Sequence, residues 1–238
     1  MVNPIAEIAF VTGAYLLGSF PSMLLLSRAR RLHISPEEDF HITVWHTLGL
    51  LQGLSMVIVD ILKGVIPVVI GFVFDFRLAV TAFAAVAALI GQMWPVFQKF
   101  QGGKGNTTGI GIAITFTLFL GNGALWALGC CLICFGIGGL VRAIPQFIAK
   151  GQTLKQKLKF GGPVSNSMPL GMLAGFAVLP LASWLFRQPV VLTASTVAVF
   201  ILIAIRRLTA NLSKDLNSTK TSIGRILVNR FLFDRSYF

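Results

Sequence analysis

Apolar and polar residues fall into long blocks along this chain, not into the short periods of soluble helices or strands. Seven apolar runs stand out, over residues 4–27, 47–73, 77–98, 107–121, 122–141, 165–186 and 188–205. A run of about 20 apolar residues is long enough to cross the hydrocarbon of a bilayer as a helix. Without water to bond, each segment must satisfy its own backbone, which makes the spans helical. The fourth run is short, and the second is long enough to tilt. The first carries Glu7 near its start, lacks a basic leader and runs straight into Arg28, which predicts a retained first span and not a cleaved signal. The pattern predicts an all-α polytopic membrane protein with seven transmembrane helices, a single membrane domain over residues 1–238 and a polar tail over 206–238.

Composition supports this reading: 55% of residues are hydrophobic and 12% are charged, against about 25% charged in an ordinary soluble domain. The net charge of +12 would suggest nucleic acid in a soluble protein, but its placement points elsewhere. With the N-terminus outside and the C-terminus cytoplasmic, all of the 20 Lys and Arg residues except Lys63, Arg77 and Arg187 fall on the inner side. This is the positive-inside distribution. A basic inner face suits anionic membrane lipids and phosphorylated substrates, not DNA or RNA. The tail, with Leu208, Leu212, Ile223, Ile226, Leu227 and Phe231 among basic residues, has the make-up of an amphipathic segment on that face. Glycine, at 24 copies, is what helices in lipid use to approach closely. Gly105, Gly109 and Gly111, and the run at 136–139, fit that role. Cys130, Cys131 and Cys134 lie together within one span and read as buried thiols acting as small apolar residues.

Three stretches carry candidate chemistry. In "GQMWPVFQKFQGGKGNTTGIG" (91–111) a span breaks off at Trp94 and Pro95, and Gly102, Gly103, Lys104 and Gly105 follow before the chain turns apolar again. Glycines let successive N–H groups face an anion, the next helix adds its positive end, Lys104 adds a charge, and Thr107 and Thr108 add hydroxyl donors. The loop is not a nucleotide P-loop, since Gly105 follows Lys104 where Ser or Thr is required. The plainer alternative is an inter-helix turn with a lysine reaching to the interface. In "DILKG" (60–64), Asp60 and Lys63 are spaced to pair on one helical face, as a structural ion pair or as part of a site. The segment holding His33, His41 and His46 with Glu37, Glu38 and Asp39 has no metal-ligand spacing and reads as a solvated loop. No metal or cofactor site emerges.

"YLLGSFPS" (15–22), "DILKGVIPVVIG" (60–71) and the 91–111 stretch, in that order, resemble the bacterial acyl-phosphate:glycerol-3-phosphate acyltransferases, the PlsY family. The resemblance extends over most of the chain and is most specific in G-x-x-x-P-V-F-x-x-F-x-G-G-K-G. Members of that family are seven-span inner-membrane enzymes with the site on the cytoplasmic face. There are departures. The family's first motif, a glycine- and hydroxyl-rich phosphate cradle, falls on "SPEEDFHIT" (35–43), where the glycines are absent and three acids stand. The arginine that follows falls on His46, the histidine of the loop motif is Gln92, and the tail motif keeps Asn211, Lys214 and Thr219 but has Leu208 for its histidine and Lys220 for its glutamate.

The resemblance implies acyl transfer from acyl phosphate to glycerol-3-phosphate, giving lysophosphatidic acid for phospholipid biosynthesis, with no cofactor. Lys104 with Gly102, Gly103, Gly105, Thr107 and Thr108 would hold a phosphate, Asn211 would orient substrate, and His46 or Arg28 would add a cation. Ser19 would be a further substrate contact. The alternative is a catalytically inactive relative that binds a lipid or a partner protein, which the degenerate first motif favours and the intact loop opposes.

Overall fold

The computed structural model describes residues 3–22, 25, 50–148, 167–210, 212–218 and 222–234. Arg28, His46, Asn211 and the acidic 35–39 run lie outside the described residues. All regular structure among the described residues is helical: α1 (Pro4–Gly18), α2 (Leu50–Val73), α3 (Leu78–Met93), a 3-10 turn (Val96–Gln98), α4 (Asn106–Leu120), α5 (Asn122–Ile148), α6 (Ser167–Leu185), α7 (Val190–Thr209), α8 (Leu212–Ser218) and α9 (Ile223–Phe233).

Each of α1 to α7 grows from one of the apolar runs, but their lengths differ from expectation. Five helices are long and apolar enough to cross a membrane, whereas α1 and α4 have 15 residues each. At 1.5 Å per residue these two span about 22 Å, short of a hydrocarbon core of about 30 Å. α1 starts on Asn3, whose side chain accepts from the Ile5 amide, with Pro4 at the first position. It closes at Gly18 and does not continue unbroken to 27, because Pro21 has no N–H to donate and pushes Phe20 away from helical backbone. α4 is bounded by glycines in positive φ, Gly105 at 77° and Gly121 at 79°. α5 and α7 run past their expected ends, and α7 takes Arg206 and Arg207 into its last turn, where cations suit the helix dipole.

α3 packs against α1, α2 and α7, α2 against α4, and α5 along α6. Val68, Leu89, Met93, Ile112, Phe116, Phe176 and Ile203 meet in the buried core. Glycine brings backbones into contact at the crossings. A β-carbon on Gly64 would lie 2.3 Å from the Thr108 carbonyl oxygen, and one on Gly111 would lie 2.4 Å from that of Ile61. Of the 136–139 run, Gly138 packs this way, onto Gly171, while Gly136 faces open space. Gly64→Ala is therefore expected to force α2 and α4 apart at about 1–3 kcal/mol, with a lower melting midpoint in detergent. Gly136→Ala should be neutral or slightly stabilising. Equal midpoints for the two variants would rule out this close packing.

Several helical hydroxyls are satisfied on their own helix: Thr115 donates to Gly111, Thr117 to Ala113 and Ser195 to Leu192. Large apolar side chains, among them Phe83, Leu118, Trp126, Leu181 and Trp184, face outward. A surface of this kind has lipid as its solvent, and the chain is a multi-pass membrane protein. At one end of the bundle Arg77 makes a bidentate pair with Glu7, its Nε 3.0 Å from Oε1 and its Nη2 2.6 Å from Oε2. The glycine-lysine loop lies at the other end, where α3 and α7 finish and α4 begins.

Candidate functional site

The loop is shaped by the end of α3. Trp94 caps the helix, and Pro95 cannot extend it. After the 3-10 turn, Lys99 and Phe100 both adopt left-handed backbone, with φ of 52° and 61°, which is uncommon for side chains of their size. The chain then folds back onto α3, and the Gly103 amide donates to the Gln92 carbonyl at 3.0 Å. A β-carbon on Gly102 would lie 2.3 Å from that carbonyl oxygen, and one on Gly105 would lie 2.4 Å from Met93 Cε. Backbone approach demands glycine at Gly102, and at Gly105 the positive φ favours it. Gly105 caps α4 without a side-chain bond, so Lys104 sits beside a helix start whose first amides take no side-chain cap.

Two cations meet the loop from the C-terminal part of the chain or answer to it. Arg206 donates from Nη2 to the Gly102 carbonyl at 2.7 Å and from Nε to the Gly103 carbonyl at 3.2 Å. Its guanidinium lies 5.7 Å over the Trp94 ring. Arg206 thus covers two carbonyl oxygens that would otherwise repel an incoming phosphate. Lys104, whose side chain is 31% exposed, reaches Asp234 Oδ2 with its Nζ at 2.7 Å.

On the other side of the loop is a small cleft lined by Gly18, Ser22, Lys63, Gln92, Pro95, Gln98, Gly102 and Gly103. Lys63 is buried and donates to the Phe20 carbonyl at 3.0 Å and to Gln92 Oε1 at 2.6 Å, with Asp60 Oδ1 at 3.2 Å. Two of the ammonium's three donors are taken by these hydrogen bonds and Asp60 neutralises its charge, so Lys63 braces the cleft wall. The Thr108 hydroxyl donates to the Asp60 carbonyl at 2.9 Å, adding α4 to the same knot.

Of the expected site residues, Gly102, Gly103, Lys104, Gly105, Thr107 and Thr108 share one loop and helix start. Three of their donors are already engaged: the Gly103 amide by Gln92, the Thr108 hydroxyl by Asp60 and the Lys104 ammonium by Asp234. Ser19 is fully buried at the end of α1, beside Gly91, and its Oγ has no hydrogen-bond partner. Ser22, with an equally unpartnered Oγ, lines the cleft in its place. Arg28, His46 and Asn211 lie outside the described residues. Sequence reasoning missed Arg206, Asp234, Ser22 and Gln98. Only the Arg206-Arg207 pair closing the last apolar run carried a signal for any of them. Among the described residues no cluster of His, Cys, Asp and Glu side chains suited to a metal comes together.

Comparison with known proteins gives the geometry a family. A glycerol-3-phosphate acyltransferase of Glaesserella parasuis is 41% identical over 108 residues, which cover 44% of this chain and 53% of that protein. One of Geobacter sulfurreducens is 33% identical over 141 residues, 58% of this chain and 70% of that protein. The chain thus spans about half the length of the first of these relatives and more of the second. In fold it is similar to the crystal structure of PlsY, an integral membrane glycerol 3-phosphate acyltransferase, in its glycerol 3-phosphate form. The TM-score is 0.64 at 22% identity, over 94% of this chain and 98% of that one. The family model described as glycerol-3-phosphate acyltransferase matches residues 8–217, a stretch that runs from within α1 through α7 and takes in the cleft and the whole glycine-lysine loop, and the chain belongs to the glycerol-3-phosphate acyltransferase family.

Proposed function

We propose that this protein transfers the acyl group of an acyl phosphate to the primary hydroxyl of glycerol-3-phosphate, forming lysophosphatidic acid for phospholipid synthesis in a bacterial inner membrane. The observation that carries this reading is Lys104, held between the glycines at the start of α4, in a loop whose carbonyls are covered by Arg206. In the reaction the hydroxyl oxygen bonds to the acyl carbon, the carbon–oxygen bond to phosphate breaks, and the hydroxyl proton leaves with the departing phosphate. The acyl phosphate is already activated, so placement of the two substrates and stabilisation of phosphate charge supply the catalysis. Lys104, Thr107 and the amides around Gly102 and Gly105 are the groups offered to phosphate. Asn211 orients the acceptor, and His46 or Arg28 contributes a second cation.

All seven apolar helices span or enter the bilayer in this reading, with the N-terminus outside and the loop, the 142–163 segment and the tail in the cytoplasm. Support comes from the inner-side clustering of basic residues and from Arg77 pairing with Glu7 at the end away from the loop. A cysteine probe at residue 155 should be protected from an impermeant reagent applied outside intact cells, and labelling there would overturn the orientation. The activity is tested with the purified full chain, acyl phosphate and glycerol-3-phosphate. Lysophosphatidic acid and inorganic phosphate should appear in equal amounts. Binding of acyl phosphate without either product would make the chain the inactive, lipid-binding relative instead.

A further inference from the structure

The family match ends at residue 217, and helix α9 and Asp234 lie beyond it. This C-terminal helix is firmly seated. Ile226 is 1% exposed, and α9 packs on both α6 and α7. The buried Arg230 guanidinium donates to the Ala210 carbonyl and to the Asp215 carboxylate. From α7, Arg207 donates to the Phe231 carbonyl at 3.4 Å and to the Pro169 carbonyl at 3.0 Å. Asp234 caps the helix in left-handed backbone, φ 60° and ψ 31°, with its amide on the Arg230 carbonyl at 2.9 Å. Its carboxylate is therefore delivered to Lys104 by a fixed framework and not by a loose end.

We propose that Asp234 is a built-in competitor for the anion bound at Lys104, and that the C-terminal helix thereby sets the phosphate affinity of the site. This rests on the reading of Lys104 as the phosphate-binding lysine. The 2.7 Å separation of Asp234 Oδ2 and Lys104 Nζ is the distance a phosphate oxygen would take at that ammonium, and two oxyanions cannot share the position without strong repulsion. A tethered carboxylate competes at a high effective concentration. A phosphate dianion displaces it because its charge is larger and the α4 amides add their donors. Between turnovers the carboxylate keeps Lys104 neutralised at the end of a bundle that also gathers Arg206, Arg207 and Arg230.

The test is a titration of inorganic phosphate against the purified full chain and its Asp234→Asn, Asp234→Gly, Lys104→Met and Asp234→Asn/Lys104→Met variants. Asn and Gly both accept left-handed backbone, so the helix end stays capped while the carboxylate is removed. A melting curve for each variant checks this. Both Asp234 variants should bind phosphate about tenfold more tightly, the effect of removing one charge-assisted bond, and the gain should vanish in the double variant. Equal or weaker binding in both, with binding still lost in Lys104→Met, would overturn the proposal and make Asp234 a residue that orients Lys104. Wild-type phosphate binding by Lys104→Met would instead refute the phosphate reading of the loop itself.

Discussion

Lys104→Met is expected to weaken binding of a non-hydrolysable acyl phosphate analogue at least tenfold, while Lys99→Met changes it little. The two lysines sit on one loop but in different settings. Lys99 is exposed, in left-handed backbone at the end of the 3-10 turn. Lys104 lies between Gly103 and Gly105, at the start of α4 and part-covered by the tail. A charge-assisted hydrogen bond is worth ~1.5–3 kcal/mol, which sets the tenfold floor. A loop that were only a turn at the membrane surface would make the two lysines equivalent. Equal affinities for the two variants, measured by titration in detergent, would reduce it to that.

Lys63→Met is expected to have the largest effect on stability. Asp60 and Lys63 are 1% and 6% exposed, and removing one partner of such a pair leaves a buried charge uncompensated, at about 3–5 kcal/mol. For a chain of this size that lowers a melting midpoint by roughly 10 °C. The same change frees the Phe20 carbonyl and the Gln92 side chain, so the cleft wall loosens together with the helices. Lys63→Met/Asp60→Asn should recover part of the loss, since a neutral amide is cheaper to bury than a carboxylate. A single variant as stable as the parent would show that the pair does not brace the cleft.

Lys63 also shows how far sequence reasoning reached. Its spacing from Asp60 predicts the ion pair, because residues three apart share a helix face whatever the rest of the chain does. That Gln92 and Phe20 complete its hydrogen bonds could not be read from spacing, since those partners come from α3 and the end of α1. The glycine-lysine loop stands out on its residue types as a candidate anion site. Its glycines proved to have a second reason, the fit of Gly102 and Gly105 against Gln92, Pro95 and Met93, and that follows only from how the loop folds back.

The sequence by itself determined the helices and their solvent. Long apolar runs must be helical in lipid, and prolines and glycines stop them. These are local properties, and α1 to α7 each grow from a predicted run, α5 and α7 beyond its end. Tertiary structure alone decided which charges far apart in the chain meet. Lys104 and Asp234 are paired from opposite parts of the chain, as are Arg206 and the carbonyls of Gly102 and Gly103. No periodicity encodes those contacts. They exist because α3, α4 and α7 bring their ends together and α9 is clamped onto the end of α7 by Arg207 and Arg230, so that a basic tail presents one carboxylate to the lysine of the loop.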